Sequence, residues 1–313
     1  MSFAELLCMG EPMLEYSQLP ETEDGRRLYL EGFGGDTSNT AIAAARQGAK
    51  AGYITAIGAD RGGDAFLALW RSEGVDTATV IRRPDRPTAF YFVLRKGEGH
   101  EFQFHRQGSA AASYAPEDLP AAALTAARIF YASGISQAIS PSAAAAVSRA
   151  IDVARGAGVD IAYDTNYRAR LWPAAAARDV IHAAVSRARY AFVSHEDAEA
   201  LTGLRDHDAV IDFYLTLGPE IVILKLGRAG AILASRSARV AIAPPPVVAI
   251  DSTGAGDVCS GAFLARILAG DPPEAAARYA IAAAALSTRG YGAVAPIPRA
   301  AEVTSITGMA VTG

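Results

Sequence analysis

The sequence predicts an α/β fold, a mostly parallel, Rossmann-like sheet flanked by helices, with a small β-sheet lid beside it. Three observations carry that prediction. Short β-rich runs alternate with longer alanine-rich stretches, two segments break the alternation with period-two polarity, and a glycine-rich turn opens a helix near the C-terminus.

In chain order, LLCM (6–9) reads as the first buried strand, and an irregular stretch follows at 12–33. Residues 37–47 read as a helix and AGYITAIG (51–58) as the next strand. TAFYFVL (88–94) and EFQFHR (101–106) alternate in polarity around the turn Lys96-Gly97-Glu98-Gly99, the pattern of an antiparallel hairpin with one solvated face. With 12–33 this hairpin makes the lid. The expectation is a single α/β domain over 1–313 with lid insertions at about 12–33 and 87–107.

The parallel sheet resumes with ARIFYASG (127–134), VDIAYDTN (159–166), RYAFVS (189–194) and EIVILKLG (220–227). Between the first two, Ser140-Pro141 supplies an N-cap and an N1 proline, and Gly156 stands where a C′ residue would close a crossover helix over 141–155. After the run Pro244-Pro245-Pro246, VVAI (247–250) reads as a last strand. DSTGAGD (251–257) then opens a helix that Gly270 ends.

About half of the 313 residues are apolar, 51%, enough for a sizeable core. A net charge of −4 gives no basic field for a polyphosphate backbone, so no nucleic-acid partner is expected. Every alanine-rich stretch is interrupted by charge or proline before it reaches the roughly 20 apolar residues of a membrane span. Cys8 and Cys259 are far apart, and the first residues lack a basic and then apolar leader pattern, which together suggest a cytoplasmic protein with free thiols.

DSTGAGD carries the chemistry. Gly254 and Gly256 have no side chains to block a ligand, so the N–H groups of Gly254, Ala255 and Gly256 can converge at a helix N-terminus as an anion hole for a phosphoryl group. Asp257 then falls in the first turn, where the helix dipole favours its ionised form and where it can take a proton from an attacking hydroxyl. The same residues also read as a plain glycine turn with a capping aspartate. No G-x-x-x-x-G-K-[ST], G-x-S-x-G or H-E-x-x-H occurs, the G-x-G-x-x-A at 290–295 runs into Pro296, and the five histidines lack zinc spacing.

D-x-T-G-A-G-D near the C-terminus resembles the signature of the ribokinase-like (PfkB) carbohydrate kinases. Gly34-Gly35-Asp36-Thr37-Ser38-Asn39-Thr40-Ala41 is similar to that family's N-terminal sugar motif, and Gly58-Ala59-Asp60, Asp164 to Arg168 and Lys225 to Gly230 match as well. Within the family, GEPMLE (10–15), GFGGDTSNT (32–40), FHRQGSAA (104–111) and DTNYRARLW (164–172) are most similar to 2-keto-3-deoxygluconate kinases, although fructokinases share the last pattern. The resemblance implies a ribokinase-like fold and transfer of the ATP γ-phosphate, with Mg2+, to the O6 hydroxyl of a sugar acid. It also implies dimerisation through the lid, and leaves dependence on a monovalent cation such as K+ open.

By the same resemblance Asp257 is the base and Gly254, Ala255 and Gly256 form the anion hole. Gly34, Gly35 and Asn39 meet sugar hydroxyls, with Tyr91, Arg106 and Arg168 completing the pocket. Ser194, Lys225, Gly227, Gly230, Asp251 and Thr253 lie at the nucleotide, Asp251 as a weaker candidate that also reads as shaping the loop. The family's N-x-x-E, tied to magnesium, is replaced by Ser194-His195-Glu196-Asp197. Asp197 or Glu199 is therefore the candidate metal residue, while the same four residues read equally as a capping box.

Arginine suits bidentate carboxylate binding, so Arg106 and Arg168 favour a sugar acid over a neutral ketose. A structural ion pair at Arg168 and a solvated lid position for Arg106 are the opposing reading. Neutral-sugar kinases and a non-catalytic sugar- or nucleotide-binding regulator on the same fold remain alternatives.

Overall fold

Runs rich in β-branched and aromatic residues form the strands, and the alanine-rich stretches between them form the helices. The computed structural model describes residues 4–22, 24–96 and 99–308. The strands are β1 (Leu6–Met9), β2 (Met13–Gln18), β3 (Tyr29–Gly34), β4 (Ala51–Gly58), β5 (Val80–Arg83), β6 (Ala89–Lys96), β7 (Gly99–His105), β8 (Ile129–Ser133), β9 (Asp160–Asp164), β10 (Tyr190–Ser194), β11 (Ile221–Lys225), β12 (Ala231–Ala234) and β13 (Arg239–Ile242). The helices are α1 (Asp36–Arg46), α2 (Arg61–Ser72), α3 (Ala121–Ala126), α4 (Gly134–Ala138), α5 (Pro141–Gly156), α6 (Ala174–Val185), α7 (His195–Thr202), α8 (His207–Leu217), α9 (Ala255–Leu268), α10 (Pro273–Ser287) and α11 (Ala300–Thr307).

The large sheet has nine strands in the order β13-β12-β11-β10-β9-β8-β1-β4-β5. It is parallel from β11 through β5, with β12 and β13 added antiparallel at one edge. Both faces are buried, so alternate residues of each strand serve two cores. Leu6 and Cys8 of β1 and Phe192 of β10 face one core with Tyr53, Phe66, Trp70 and Phe263. Leu7, Met9 and Val193 face the other, against Val147, Ile151, Ile181 and Tyr214. The fold is the ribokinase-like α/β arrangement that the sequence predicts.

A second sheet of four strands, β3-β2-β6-β7, stands beside the first. It is mixed, since β2 pairs parallel with β6 and antiparallel with β3. Asp60 fixes its base: the carboxylate caps α2 by accepting from Gly63 N–H and also takes the N–H and hydroxyl of Thr88, just before β6. Of the expected hairpin turn, Gly97 and Glu98 lie outside the described residues.

Two local expectations need correction. VVAI is not a strand; residues 243–249 run without regular structure, with Val248 and Ile250 exposed. The preceding prolines have no N–H for a ladder, and the sheet edge is already taken by β12 and β13, which the sequence reading missed along with β5. Gly156 is the last residue of α5, and the left-handed position that ends the turn is Gly158, with φ of 80°. Cys8 and Cys259 are free and buried. Among the described residues no helix is long and apolar enough to cross a membrane.

Candidate active site

The C-terminal ends of the parallel strands share one edge of the large sheet, the edge at which open α/β sheets place ligands. Here α1 and α9 both begin, and their first turns meet. Gly35 caps α1 with φ of 108°, and a Cβ there would lie 2.4 Å from the Glu11 carbonyl oxygen. At Gly261 of α9, a Cβ would lie 2.4 Å from the Thr40 carbonyl oxygen of α1, so the missing side chain lets the two helices touch.

That approach joins the two sequence motifs. Asn39, buried rather than on an exposed helix face, donates from Nδ2 to Asp257 Oδ2 at 2.9 Å. Asp257 is the third residue of α9, and its half-buried carboxyl is pushed up to about 8, first by burial and then by the neighbouring Asp36 and Asp164 carboxylates. Burial and like charge therefore outweigh the helix-dipole effect expected from sequence. The hydrogen bond from Asn39 and the charge of Lys225 pull the other way.

Below Asp257 lies a buried ion pair. Lys225 Nζ sits 2.6 Å from Asp164 Oδ2, which also receives the Ser260 hydroxyl at 3.2 Å. Burial works against the lysine charge, but Asp164 raises its pKa overall. A Cβ on Gly256 would lie 3.3 Å from Lys225 Nζ, so the lysine supports the floor of the glycine loop from beneath.

The anion hole also differs from expectation. Gly254 is the αL N-cap, with φ of 76°, and among the described residues neither its N–H nor that of Gly256 has an intramolecular acceptor. The Ala255 N–H instead donates to the Ser252 carbonyl at 3.2 Å and closes the turn. Two of the three expected donors are thus without an acceptor among the described residues.

Asp251 shapes this loop. Its Oδ1 accepts from the N–H and hydroxyl of Thr253, and its Oδ2 from the Gly292 N–H at 2.9 Å. Gly227 and Gly230 belong to the turn that joins β11 to β12 beside the site; at Gly230, with φ of 94°, a Cβ would lie 2.0 Å from the Ile242 carbonyl oxygen.

The small sheet contributes Tyr91 and Arg106. The Tyr91 hydroxyl donates to Glu15, and a Cβ on Gly34 would lie 2.7 Å from it, so the ring covers the start of α1. Arg106 is not on a solvated face: only 16% of its side chain is exposed, and its Nε lies 3.2 Å from buried Glu11. Its Nη1 is buried without a hydrogen-bond partner. Arg168 is exposed, donates to the Tyr167 carbonyl oxygen, and makes no ion pair among the described residues.

Ser194 caps α7 by accepting from Asp197 N–H at 3.1 Å. The reciprocal half of a capping box is absent among the described residues: buried Asp197 instead takes the Thr165 hydroxyl at 2.8 Å and the Tyr167 N–H at 3.2 Å through Oδ2. Glu199 lies two residues on, about 200° around the helix, and pairs with Arg205 at 2.6 Å. It is not placed to replace Asp197. Among the described residues no group of three or more His, Cys, Asp or Glu could hold a metal ion unaided.

Two facing helix starts with a carboxyl beside an open pair of N–H groups suit phosphoryl transfer to a hydroxyl. The pfkB family carbohydrate kinase profile matches residues 7–300. The chain belongs to this family. A 2-dehydro-3-deoxygluconokinase of Thermoproteus tenax is 32% identical over 309 residues, covering 95% of this chain and 93% of that protein. Fructokinase-1 of Oryza sativa subsp. japonica is 31% identical over 314 residues, covering 96% and 95%. A structure described as ribokinase II of Escherichia coli, in complex with ATP and Mg2+, has a TM-score of 0.89, covers 97% of this chain and 99% of that one, and at 24% identity speaks to the fold.

In this pfkB kinase, sequence reasoning missed Glu11, Asp36 and the Asp164–Asn166 pair as parts of the site. Asp36 is buried, accepts from Ser133 at 2.5 Å and from Asn166 at 2.8 Å, and keeps Oδ1 unpartnered. Asn166 holds φ of 28°, a conformation uncommon outside glycine. The available signal was polarity: each residue sits where an apolar strand or a helix start faces the sheet's C-terminal edge.

Proposed function

We propose that this carbohydrate kinase phosphorylates 2-keto-3-deoxygluconate, the compound also called 2-dehydro-3-deoxygluconate, at its O6 hydroxyl using ATP. The observation that carries this reading is the Arg106 guanidinium, buried at the end of β7 with an N–H that has no acceptor inside the fold. An unpaired buried donor costs free energy, and a substrate carboxylate would satisfy it. Arg168, exposed just past β9, would supply the second cation.

In the reaction, ionised Asp257 takes the O6–H proton, O6 bonds to the γ-phosphorus, and the bond to the ADP oxygen breaks. Asn39 would orient the Asp257 carboxylate, and the Gly254 and Gly256 N–H groups would receive the charge on the transferring phosphoryl oxygens. Mg2+, when bound, neutralises phosphate charge. With no all-protein cage among the described residues, it would be held largely by phosphate oxygens and water, with Asp197, which interacts with Asp164 and Lys225, the candidate carboxylate. The four-stranded sheet would act as the lid that excludes water, and its exposed Leu30, Phe102 and Phe104 would be covered in a lid-to-lid dimer.

The test is Arg168→Ala, which should raise KM for 2-keto-3-deoxygluconate at least about tenfold, the worth of one charge-assisted bond, and leave KM for ATP little changed. An unchanged sugar KM would remove the carboxylate role. A neutral-sugar kinase is the second reading, favoured by the pairing of Arg106 with Glu11 and by the similarity to a fructokinase.

A further inference from the structure

The guanidinium proposed to bind a substrate carboxylate already has a carboxylate beside it. Glu11 follows β1, is only 2% exposed, and presents Oε2 to Arg106 Nε at 3.2 Å. Its Oε1 receives the Ser109 hydroxyl at 3.3 Å. Arg106 Nη2 donates to Met13 Sδ at 3.0 Å, the guanidinium lies 5.1 Å from the centre of the Phe104 ring, and Nη1 is left over. Contact through a single edge atom is not the two-bond fork an arginine makes with a well-matched carboxylate.

We propose that Glu11 is a specificity-determining residue of the sugar site, its carboxylate competing with the substrate's carboxylate for the charge of Arg106. This rests on the reading of the substrate as a sugar acid. With Glu11 ionised, the Glu11–Arg106 pair carries no net charge and an incoming acid meets only its free N–H. With Glu11 neutral, the incoming acid meets a full positive charge. A ketose without a carboxylate has no such dependence.

Burial pushes the Glu11 carboxyl up to about 7, against the attraction of Arg106 and the Ser109 hydrogen bond, with Asp36 adding to the rise. The titratable and charged groups that face it are Arg106 from the end of β7, Asp36 from α1 and Tyr53 from β4; Tyr53 is fully buried and its hydroxyl is pushed well up, so it stays neutral. The sign follows directly. Below pH about 7 Glu11 is protonated and sugar acids bind more tightly; above it Glu11 ionises and their affinity falls.

The experiment compares kcat/KM for 2-keto-3-deoxygluconate and for fructose, in wild type and Glu11→Gln, at pH values on both sides of neutrality. Taking the acid-to-neutral ratio at each pH cancels the titration of Asp257. The wild-type ratio should fall about tenfold as Glu11 ionises, the order of one charge-assisted hydrogen bond. In Glu11→Gln, which keeps an acceptor for Ser109, the ratio should stay high and flat. A ratio identical in the two proteins overturns the inference, as does a lower ratio in the variant, which would make Glu11 only an orienting group for Arg106. If the variant fails to fold, a wild-type ratio that stays flat through neutral pH overturns it alone. A wild type that turns over fructose but no sugar acid at any pH refutes the sugar-acid reading itself.

Discussion

The two halves of the site are built in different ways. On the large-sheet side, Asp257, Asn39, Asp164 and Lys225 are tied by short hydrogen bonds and an ion pair, and two helices are locked together through Gly261. On the small-sheet side, Tyr91 and Arg106 are held by Glu15 and Glu11, while Leu30, Phe102 and Phe104 remain exposed. On the proposed reading, the first half holds the groups that any hydroxyl acceptor needs. The second, together with Arg168 past β9, would hold the groups that distinguish one acceptor from another. On that reading the chemistry sits at the large sheet, while selectivity is shared between the small sheet and Glu11 and Arg168 at the large-sheet edge, so substitutions at the two kinds of residue should have different kinetic signatures.

The largest effect should come from Asp257→Asn. Loss of a general base costs about 10²–10⁴ in rate, so kcat should fall by about a thousandfold while both KM values and the melting temperature stay near wild type. Near-normal turnover would remove Asp257 from the base role and dissolve the distinction between the halves. Lys225→Met should act through stability instead. Leaving the Asp164 charge buried and unpaired costs about 3 kcal/mol or more, readable as a lower urea midpoint at unchanged slope. A midpoint within error of wild type would show that the pair does not hold the floor.

The sequence exposed the large-sheet half more readily than the other. Gly254, Gly256 and Asp257 lie within one short segment, and local chemistry alone suggests an anion site at a helix start. Gly34, Gly35 and Asn39 form a second such segment, but nothing local shows that Asn39 reaches Asp257, 218 residues away in sequence. The close approach of α1 and α9 at Gly261, with the Thr40 hydroxyl donating to the Asp257 carbonyl oxygen at 3.3 Å, brings them together. VVAI was misread because an apolar run looks like a strand wherever it lies, and the competing edge pair β12 and β13 is invisible without the sheet. The Glu11–Arg106 pair was likewise hidden, since it joins β1 to the end of β7 across residues that no local pattern connects.

Smaller effects sharpen the comparison. The raised Asp257 carboxyl must be ionised to accept a proton, so kcat/KM for a neutral sugar, on which Glu11 has no bearing, should rise about tenfold per pH unit below about 8 and level off above it. A profile flat below that value would contradict the buried-carboxylate environment. Tyr91→Phe removes one hydroxyl from the small-sheet side, where a typical hydrogen bond contributes about 1 kcal/mol. It should raise sugar KM a few-fold with little change in kcat, and a kcat loss as large as that of Asp257→Asn would show that the two halves are not separable.

The most direct measurement is a coupled ATP-consumption assay comparing kcat/KM for 2-keto-3-deoxygluconate, 2-keto-3-deoxygalactonate, fructose and ribose under one buffer condition at slightly acidic pH. An acid-selective site at Arg106 and Arg168 predicts that 2-keto-3-deoxygluconate exceeds fructose and ribose by at least about tenfold, the worth of one charge-assisted hydrogen bond. Fructose or ribose matching or exceeding it would contradict the account and make this chain a neutral-sugar kinase.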